Sequence, residues 1–520
     1  MEQVQTRWNG WGVPGHDDPL AVNEPAWRWL AQAFAMPALL ATPPRELSGI
    51  TLPPSRLSEQ ARQRLSTLLE VEPGNSQRAR HAAGRGLTDL LTLRAGDLST
   101  APDAVLYPRR EADVLAALKL CAELSIAVAP WGGGTGNISL ARGGHSAVVA
   151  MNLSDINRFK TLDLMSGLAE VEAGITGPNL ERQLSAHGMM LGHRPDDFEF
   201  STLGGWIAQP GASRAVPDWL HSLRVATPLG LMAAGDTLNA IMTGSQGAFG
   251  IITGATIRVR ALPKKVQHRT YLFPDFASGI AALHQAQRLG LPQMFVRLSD
   301  DSETRLTRAL ERADREWNLP DYLFDVYLSA RRFGTGAARL SAGFSGDAGD
   351  VSAERKYFDS LAKRLGALAL GVDEKAAKQR FLSGYRRDTL LDRGVGIDSL
   401  ELSASWSKLP GLYVAVRAAL KQAMRDHAPR PGAHGLVLCH VGPTRCDSAV
   451  LNFTWLFPRI LDDAIAQARS IRQAALAAAA IESSKELERD VLGGIKRIVD
   501  PTAILNPALN PALNPGRLIP

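Results

Sequence analysis

The sequence predicts an α+β chain of two domains. From Asp103 to about residue 265, short apolar strands alternate with single amphipathic helices, and glycine clusters stand at strand ends. After Lys264-Lys265 the pattern changes to longer helices with short strands between them. Composition allows a large core: of 520 residues, 45% are hydrophobic and 21% charged, with a mean hydropathy of −0.08. These are the proportions of a globular chain, neither disordered nor fibrous, and the length excludes one small module.

Residues 1–98 read as a helical lead-in region. Pro43 to Pro54 is proline-rich, and SRLSEQARQRLSTLL (Ser55 to Leu69) places apolar residues at helical spacing. The strong alternation then begins: AVLYP as a strand, Glu111 to Leu124 as a helix, IAVAP as a strand, a glycine cluster and AVVAMNL as a further strand. This is a β-α-β unit with a glycine-rich turn. Strands follow at LAEVEAG, HSLRVATP and IITGATIRVRAL, with a helix at Gly177 to His187. Beyond residue 265, helices are expected at Gly279 to Leu289, Asp301 to Trp317, Ala353 to Leu365 and Leu409 to Asp426, with short strands at QMFVRLSD and YLFDVYLS. Glu486 to Val499 is helical in pattern. The final stretch repeats Ala-Leu-Asn-Pro twice, which reads as extended or turn structure because each Pro disfavours helix before it.

Several function classes are excluded or disfavoured. Lys+Arg is 58 against Asp+Glu 52, with 12 lysines and 46 arginines scattered rather than blocked, so no nucleic-acid partner is expected. Cys121, Cys439 and Cys446 form no CxxC pair and no zinc-type set, which fits a reducing cytoplasm and no metal site. No stretch approaches the ~20 apolar residues of a membrane span. WRWLAQAFAMPALL (Trp27 to Leu40) is the one candidate for peripheral membrane contact, but Pro37 interrupts it and a core-docking helix is the preferred reading. A homodimer is compatible with this composition.

Three small-residue loops carry the chemistry. APWGGGTG (Ala129 to Gly136) directly follows a strand, where bare backbone N–H groups can turn toward a diphosphate with no Cβ in the way. Alone, such a loop is as readily a tight turn, and it is neither a P-loop nor GxGxxG. It is joined by GHRPDDFEFSTLGGW (Gly192 to Trp206) and TGSQGAFGIITGATIRVR (Thr243 to Arg260), each near a strand end. Three such loops suit a long dinucleotide gripped along its length.

With these loops, and with RWNGWG, LPPSRLS, PDAVLYPRREADVLAAL, VRLSDDSETR and DPTAILNP, the sequence resembles the vanillyl-alcohol-oxidase (PCMH-type) FAD-binding flavoproteins. Within them it resembles the bacterial alkyldihydroxyacetonephosphate synthase branch. The resemblance implies a PCMH-type FAD domain of two α+β subdomains at 99–265, an α+β cap domain over the flavin at 266–485, and a segment at 486–520 returning to the FAD domain. It implies that Pro130, Gly132, Gly133, Gly134, Thr135 and Gly136 hold the FAD diphosphate. It also implies that Asp196, Asp197, Phe198, Glu199, Ser201, Thr202, Gly244, Ser245, Gln246, Gly247, Gly250 and Ile251 line the cofactor, with Gln246 where the family usually has glutamate. His145, in RGGHS, lies after the phosphate loop and not in it, so non-covalent FAD is the expectation.

The resemblance also shows gaps. The family's arginines are matched by Arg297 in MFVRLSD and Arg387 in GYRRDTLLD, each suited to gripping a phosphate or carboxylate or else to pairing with an acid. The segment usually reading like CHxSHxYxxGxxLYFT is CHVGPTRCDSAVLNFT here, so Pro443 replaces the second His, Arg445 the first Tyr and Asn452 the catalytic Tyr. The expected histidine cluster between about 468 and 484 is absent, and the segment AQPGASRAVPDW is shorter than the family's. His440 is the remaining candidate base, with a structural role as the alternative; His193 is equally ambiguous. Three functions are weighed: an FAD-dependent oxidoreductase acting on a small anionic substrate, an ether-forming synthase of variant mechanism, and an FAD-binding scaffold.

Overall fold

The computed structural model describes residues 6–509 apart from 16–17, 137, 139, 210–215, 292–294, 314–322, 324–325, 329, 332, 372–382 and 480–485. The shortened segment at 210–215, most of the Ala-Leu-Asn-Pro repeat, the end of the helix expected to run to Trp317 and part of the 468–484 stretch lie outside these residues. The chain divides into two units. One holds residues 1–14, 44–262 and 482–520; the other holds 15–43 and 263–481.

The first unit contains two larger sheets. In the four-stranded sheet the order is Glu70–Glu72, Ala104–Tyr107, Ala147–Asn152, Ile126–Trp131, and the last three strands run parallel. Helix Glu111–Glu123 makes the crossover these parallel strands require. Its Val114, Ala117, Leu118 and Cys121 recur at helical spacing and pack on Leu106, Ile126, Val128 and Val149. The five-stranded antiparallel sheet runs Phe159–Asp163, Leu168–Glu172, Ile251–Arg258, Leu220–Thr227, Gly230–Ala234. Ala226 and Ile251 of this sheet enter the same core cluster.

The second unit is organised on one seven-stranded antiparallel sheet. Its order is Leu368–Gly371, Lys265–Phe273, Ala338–Gly346, Phe295–Ser299, Leu436–Thr444, Ser448–Pro458, Val395–Ser405. Several of these strands reach nine to eleven residues, longer than the short strands the sequence suggests. The expected strand YLFDVYLS is helical at each described position. Leu328 is buried with Leu272 and Phe333, whereas Leu323, Val326 and Tyr327 are exposed, so among its described positions Leu328 anchors the segment against the β-propensity of Tyr and Val.

The lead-in region 1–98 is not one unit. Helix Glu24–Ala33 buries Ala26, Trp27 and Leu30, followed by Phe34, in a cluster with Leu390, Val395, Leu438 and Leu456 of the second unit. Asn23 caps this helix by accepting from Ala26 N. Its apolar face therefore serves the core. No helix among the described residues is long and apolar enough to cross a membrane.

Candidate functional site

In the first unit the three glycine-bearing loops form one cradle. Strand Ile126–Trp131 delivers Gly132–Gly136, and Thr135 Oγ1 donates to Asp197 Oδ2 at 2.6 Å. A Cβ on Gly132 would stand 2.5 Å from Thr202 Oγ1, one on Gly133 2.0 Å from the Phe200 carbonyl oxygen, and one on Gly136 1.6 Å from Gln209 Oε1. The first loop thus touches the second so closely that only glycine fits. The third loop joins them: a Cβ on Gly247 would lie 2.2 Å from Pro130 Cγ, while Gly244 N and Gln246 N donate to the carbonyls of Ile207 and Ala208. Gly244, Gln246 and Gly247 all have positive φ, at 79°, 49° and 79°.

The second loop is braced from beneath. Trp206 Nε1 donates to Ser201 Oγ at 2.6 Å, Ser201 Oγ donates to the Asp197 carbonyl, and Phe198 stacks on Trp206. Burial pushes the Asp197 carboxyl up, with the Thr135 and Ser201 hydroxyls opposing the shift. Asp196 and Glu199 are exposed at the loop surface. Ile251 is wholly buried in the sheet core, so only its backbone faces the loop chemistry. His193 lies against Trp206 and Trp219, which is an aromatic packing role.

The cradle fits a large polar cofactor. Besides the glycine surfaces, Thr243 Oγ1 and Ser245 Oγ are buried hydroxyls with no hydrogen-bond partner among the described residues. Both ring nitrogens of His145 are engaged, Nδ1 with Ser125 Oγ at 3.0 Å and Nε2 with the Ala503 carbonyl at 3.1 Å. Neither nitrogen is left for a covalent flavin link.

In the second unit the register brings the other expected residues together. Directly opposed residues share a sheet face, and residues two apart on a strand do as well. Ser299 pairs with His440, His440 with Asn452, and Asn452 with Glu401. Arg297, His440, Asn452 and Ser399 therefore lie on one face, and Arg387 reaches it by donating to Ser399 Oγ at 3.1 Å. The opposite face carries Leu298, Cys439, Val441, Leu451 and Phe453, all buried.

Glu303 organises the polar face. It stands in helix Asp301–Ala313, accepts from Arg297 Nε and Nη2, and places Oε2 3.4 Å from His440 Nδ1. Burial alone would raise its pKa, yet the Arg297 and His440 charges prevail and hold the carboxyl well below its usual range. Arg297 thus has an acid as its first partner. Asn452 donates to the Gly442 carbonyl at 2.5 Å, so its side chain serves the adjoining strand.

One phenol in this unit escaped the sequence reading. Tyr413 OH donates to Asp300 Oδ2 at 3.0 Å, and Arg417 pairs with Asp301 at 2.7 Å and Ser302 Oγ at 2.8 Å. Asp300 is wholly buried and its pKa is pushed up to about 7, chiefly by burial. Burial first and then Asp300 raise the Tyr413 phenol, which remains a donor and no base. Asp300, Glu303, Tyr413 and Arg417 carried no spacing signal except that VRLSDDSETR holds the first two. Among the described residues there is no cluster suited to a metal ion.

Comparisons with known proteins agree with this geometry. The family described as FAD binding domain matches residues 102–234, and that described as FAD linked oxidases, C-terminal domain, matches 262–454. Alkyldihydroxyacetonephosphate synthase of Trypanosoma brucei brucei is 27% identical over 503 residues, covering 87% of this chain and 80% of that protein. D-lactate dehydrogenase [cytochrome] 1, mitochondrial, of Saccharomyces cerevisiae is 26% identical over 238 residues, covering 42% of this chain and 40% of that protein. A solved alkyldihydroxyacetonephosphate synthase superposes with a TM-score of 0.82 at 24% identity, covering 96% of this chain and 98% of that one. Substrate-bound p-cresol methylhydroxylase (PCMH) superposes with 0.65 at 18% identity, covering 90% and 98%. With its glycine cradle, its matched FAD binding domain and its matched C-terminal domain of FAD linked oxidases, the chain has the PCMH-type FAD-binding fold, and its cofactor is FAD.

Proposed function

We propose that the chain is an FAD-dependent oxidoreductase acting on a small anionic substrate, a carboxylate or a phosphate. The observation that carries the reading is the single sheet face bearing Arg297, His440 and the Arg387–Ser399 pair. Bound FAD supplies a two-electron redox centre. In the cradle, the Gly132–Gly136 backbone and Thr135 would hold the diphosphate, and the 196–202 and 244–251 loops would line the remainder. On the sheet face, Arg387 grips the anion through its planar fork. Glu303 sets the position of both Arg297 and His440. His440 moves the substrate proton at Nε2, the nitrogen that does not face Glu303. Asn452 offers no proton, and Tyr413 is committed to Asp300.

A second reading, an ether-forming synthase of variant mechanism, is supported by the Trypanosoma brucei brucei relative, which aligns over 87% of this chain. The cytoplasm suits either activity, since the two buried cysteines and exposed Cys446 are all free thiols. The discriminating experiment screens small carboxylates and phosphates by anaerobic flavin bleaching. Arg387→Ala should then raise the apparent KM at least about tenfold with flavin content unchanged. An unchanged KM removes the anion role, and an ether product from labelled fatty alcohol moves the second reading to first.

A further inference from the structure

The carboxy-terminal segment DPTAILNP lies against two of the three cofactor loops. Val128 N donates to the Ile504 carbonyl at 2.8 Å and Asn506 N to the Val128 carbonyl at 2.9 Å, so the segment runs as an added parallel edge beside strand Ile126–Trp131. That strand leads directly into Gly132. Buried Lys496 spends all three Nζ protons: on Asp500 Oδ2 at 2.7 Å, on the Leu505 carbonyl at 2.6 Å and on the Ala248 carbonyl of the third loop at 2.6 Å. Asp500 in turn accepts from Ile504 N and Leu505 N. One ion pair therefore fixes the segment and the third loop to each other.

At the end of this clasp Asn506 Nδ2 donates to the Gln246 carbonyl at 2.8 Å. Both residues have positive φ, 39° and 49°, a conformation that costs a non-glycine residue and persists only where surrounding contacts enforce it. Asn506 is 6% exposed, yet its Oδ1 has no partner. It joins Ser245 Oγ and Thr243 Oγ1, 3% and 7% exposed by residue, as buried polar atoms without partners around one loop. Buried polar groups are rarely left so, and three in one place point to a ligand that satisfies them.

We propose that Asn506 is an FAD-binding residue and that Lys496 and Asp500 are positioning residues for it. The clasp holds Asn506, Ser245 and Thr243 as a preformed polar wall of the cradle. This rests on FAD binding alone, and no substrate enters the test.

The test titrates FAD into the deflavinated full chain, following flavin fluorescence, and compares Asn506→Ala with the unmutated protein. The expected result is an FAD Kd raised about tenfold or more, as for loss of a buried hydrogen bond that leaves its partner unpaired. The FAD-induced rise in melting temperature should shrink, beyond any fall that loss of the Nδ2–Gln246 bond causes in the apoprotein. A purely structural Asn506 would instead lower the apoprotein melting temperature and leave the FAD-induced rise intact. Should Asn506→Ala fail to fold, hydrogen exchange on the unmutated chain decides. FAD should slow the Leu505 and Asn506 amides at least about tenfold, leaving helix Glu59–Ser66 unchanged. Equal Kd values, or amides indifferent to FAD, would overturn the proposal and leave the three atoms to water.

Discussion

The cradle of the first unit and the polar sheet face of the second solve opposite problems. The cradle is made by removing side chains: at Gly132, Gly133, Gly136 and Gly247 an added Cβ would strike a neighbouring loop. Its uncharged hydroxyls at 243 and 245 are left without partners. The sheet face instead gathers ionic groups and compensates them, Arg297 and His440 against Glu303. The difference teaches how each ligand is recognised. A large cofactor shared by many chemistries is held by backbone and shape, whereas the anionic substrate we propose would need charge, and buried charge is tolerable only when paired.

The sharpest way to break this contrast is Gly133→Ala. Its Cβ would overlap the Phe200 carbonyl oxygen, and backbone cannot swing aside as a side chain can. Loss of essentially all bound flavin is expected, read from the 450 to 280 nm absorbance ratio. Full flavin content would show that the loops do not converge as described.

Next in size is Glu303→Gln. Removing the buried carboxylate that Arg297 and His440 share typically costs ~2 kcal/mol. Urea denaturation should register that loss with flavin content intact. A change under about 0.5 kcal/mol would mean that Arg297 and His440 are not held by Glu303.

A third effect is the pH slope set by Asp300. Its folded pKa, about 7, lies above the 3.8 of an ordinary aspartate, so between those values the folded chain holds a proton that the unfolded chain has released. Stability from this group is present below the unfolded pKa and declines as pH rises through the folded one, by at most ~1.4 kcal/mol per pH unit. Asp300→Asn should flatten the decline between about pH 4 and 7 in a series of denaturation curves. An unaltered slope would assign the effect elsewhere.

Local signals were legible where the chain is locally determined. Helix Glu111–Glu123 was visible because Val114, Ala117, Leu118 and Cys121 repeat at its period, and strand Ile126–Trp131 because a short apolar run ends in glycines. The three loops were legible because glycine is needed wherever one backbone approaches another this closely. YLFDVYLS was misread as strand because its residue types favour strands, whereas its described positions are helical with Leu328 buried among them.

The sequence by itself therefore determined the fold class from its strand and helix patterns, the cofactor from the family resemblance its loops and motifs carry, and the glycine clusters from runs of neighbouring residues. The tertiary structure alone decided that Arg297 faces Glu303 and His440, that Tyr413 is bound to Asp300 across 113 residues, and that Lys496 grips Ala248 across 248. It also placed Trp27 in the core of the second unit. These pairings follow from sheet register and from the need to pair every buried charge. Register is fixed by packing across the whole sheet, so no local pattern in the chain announces it.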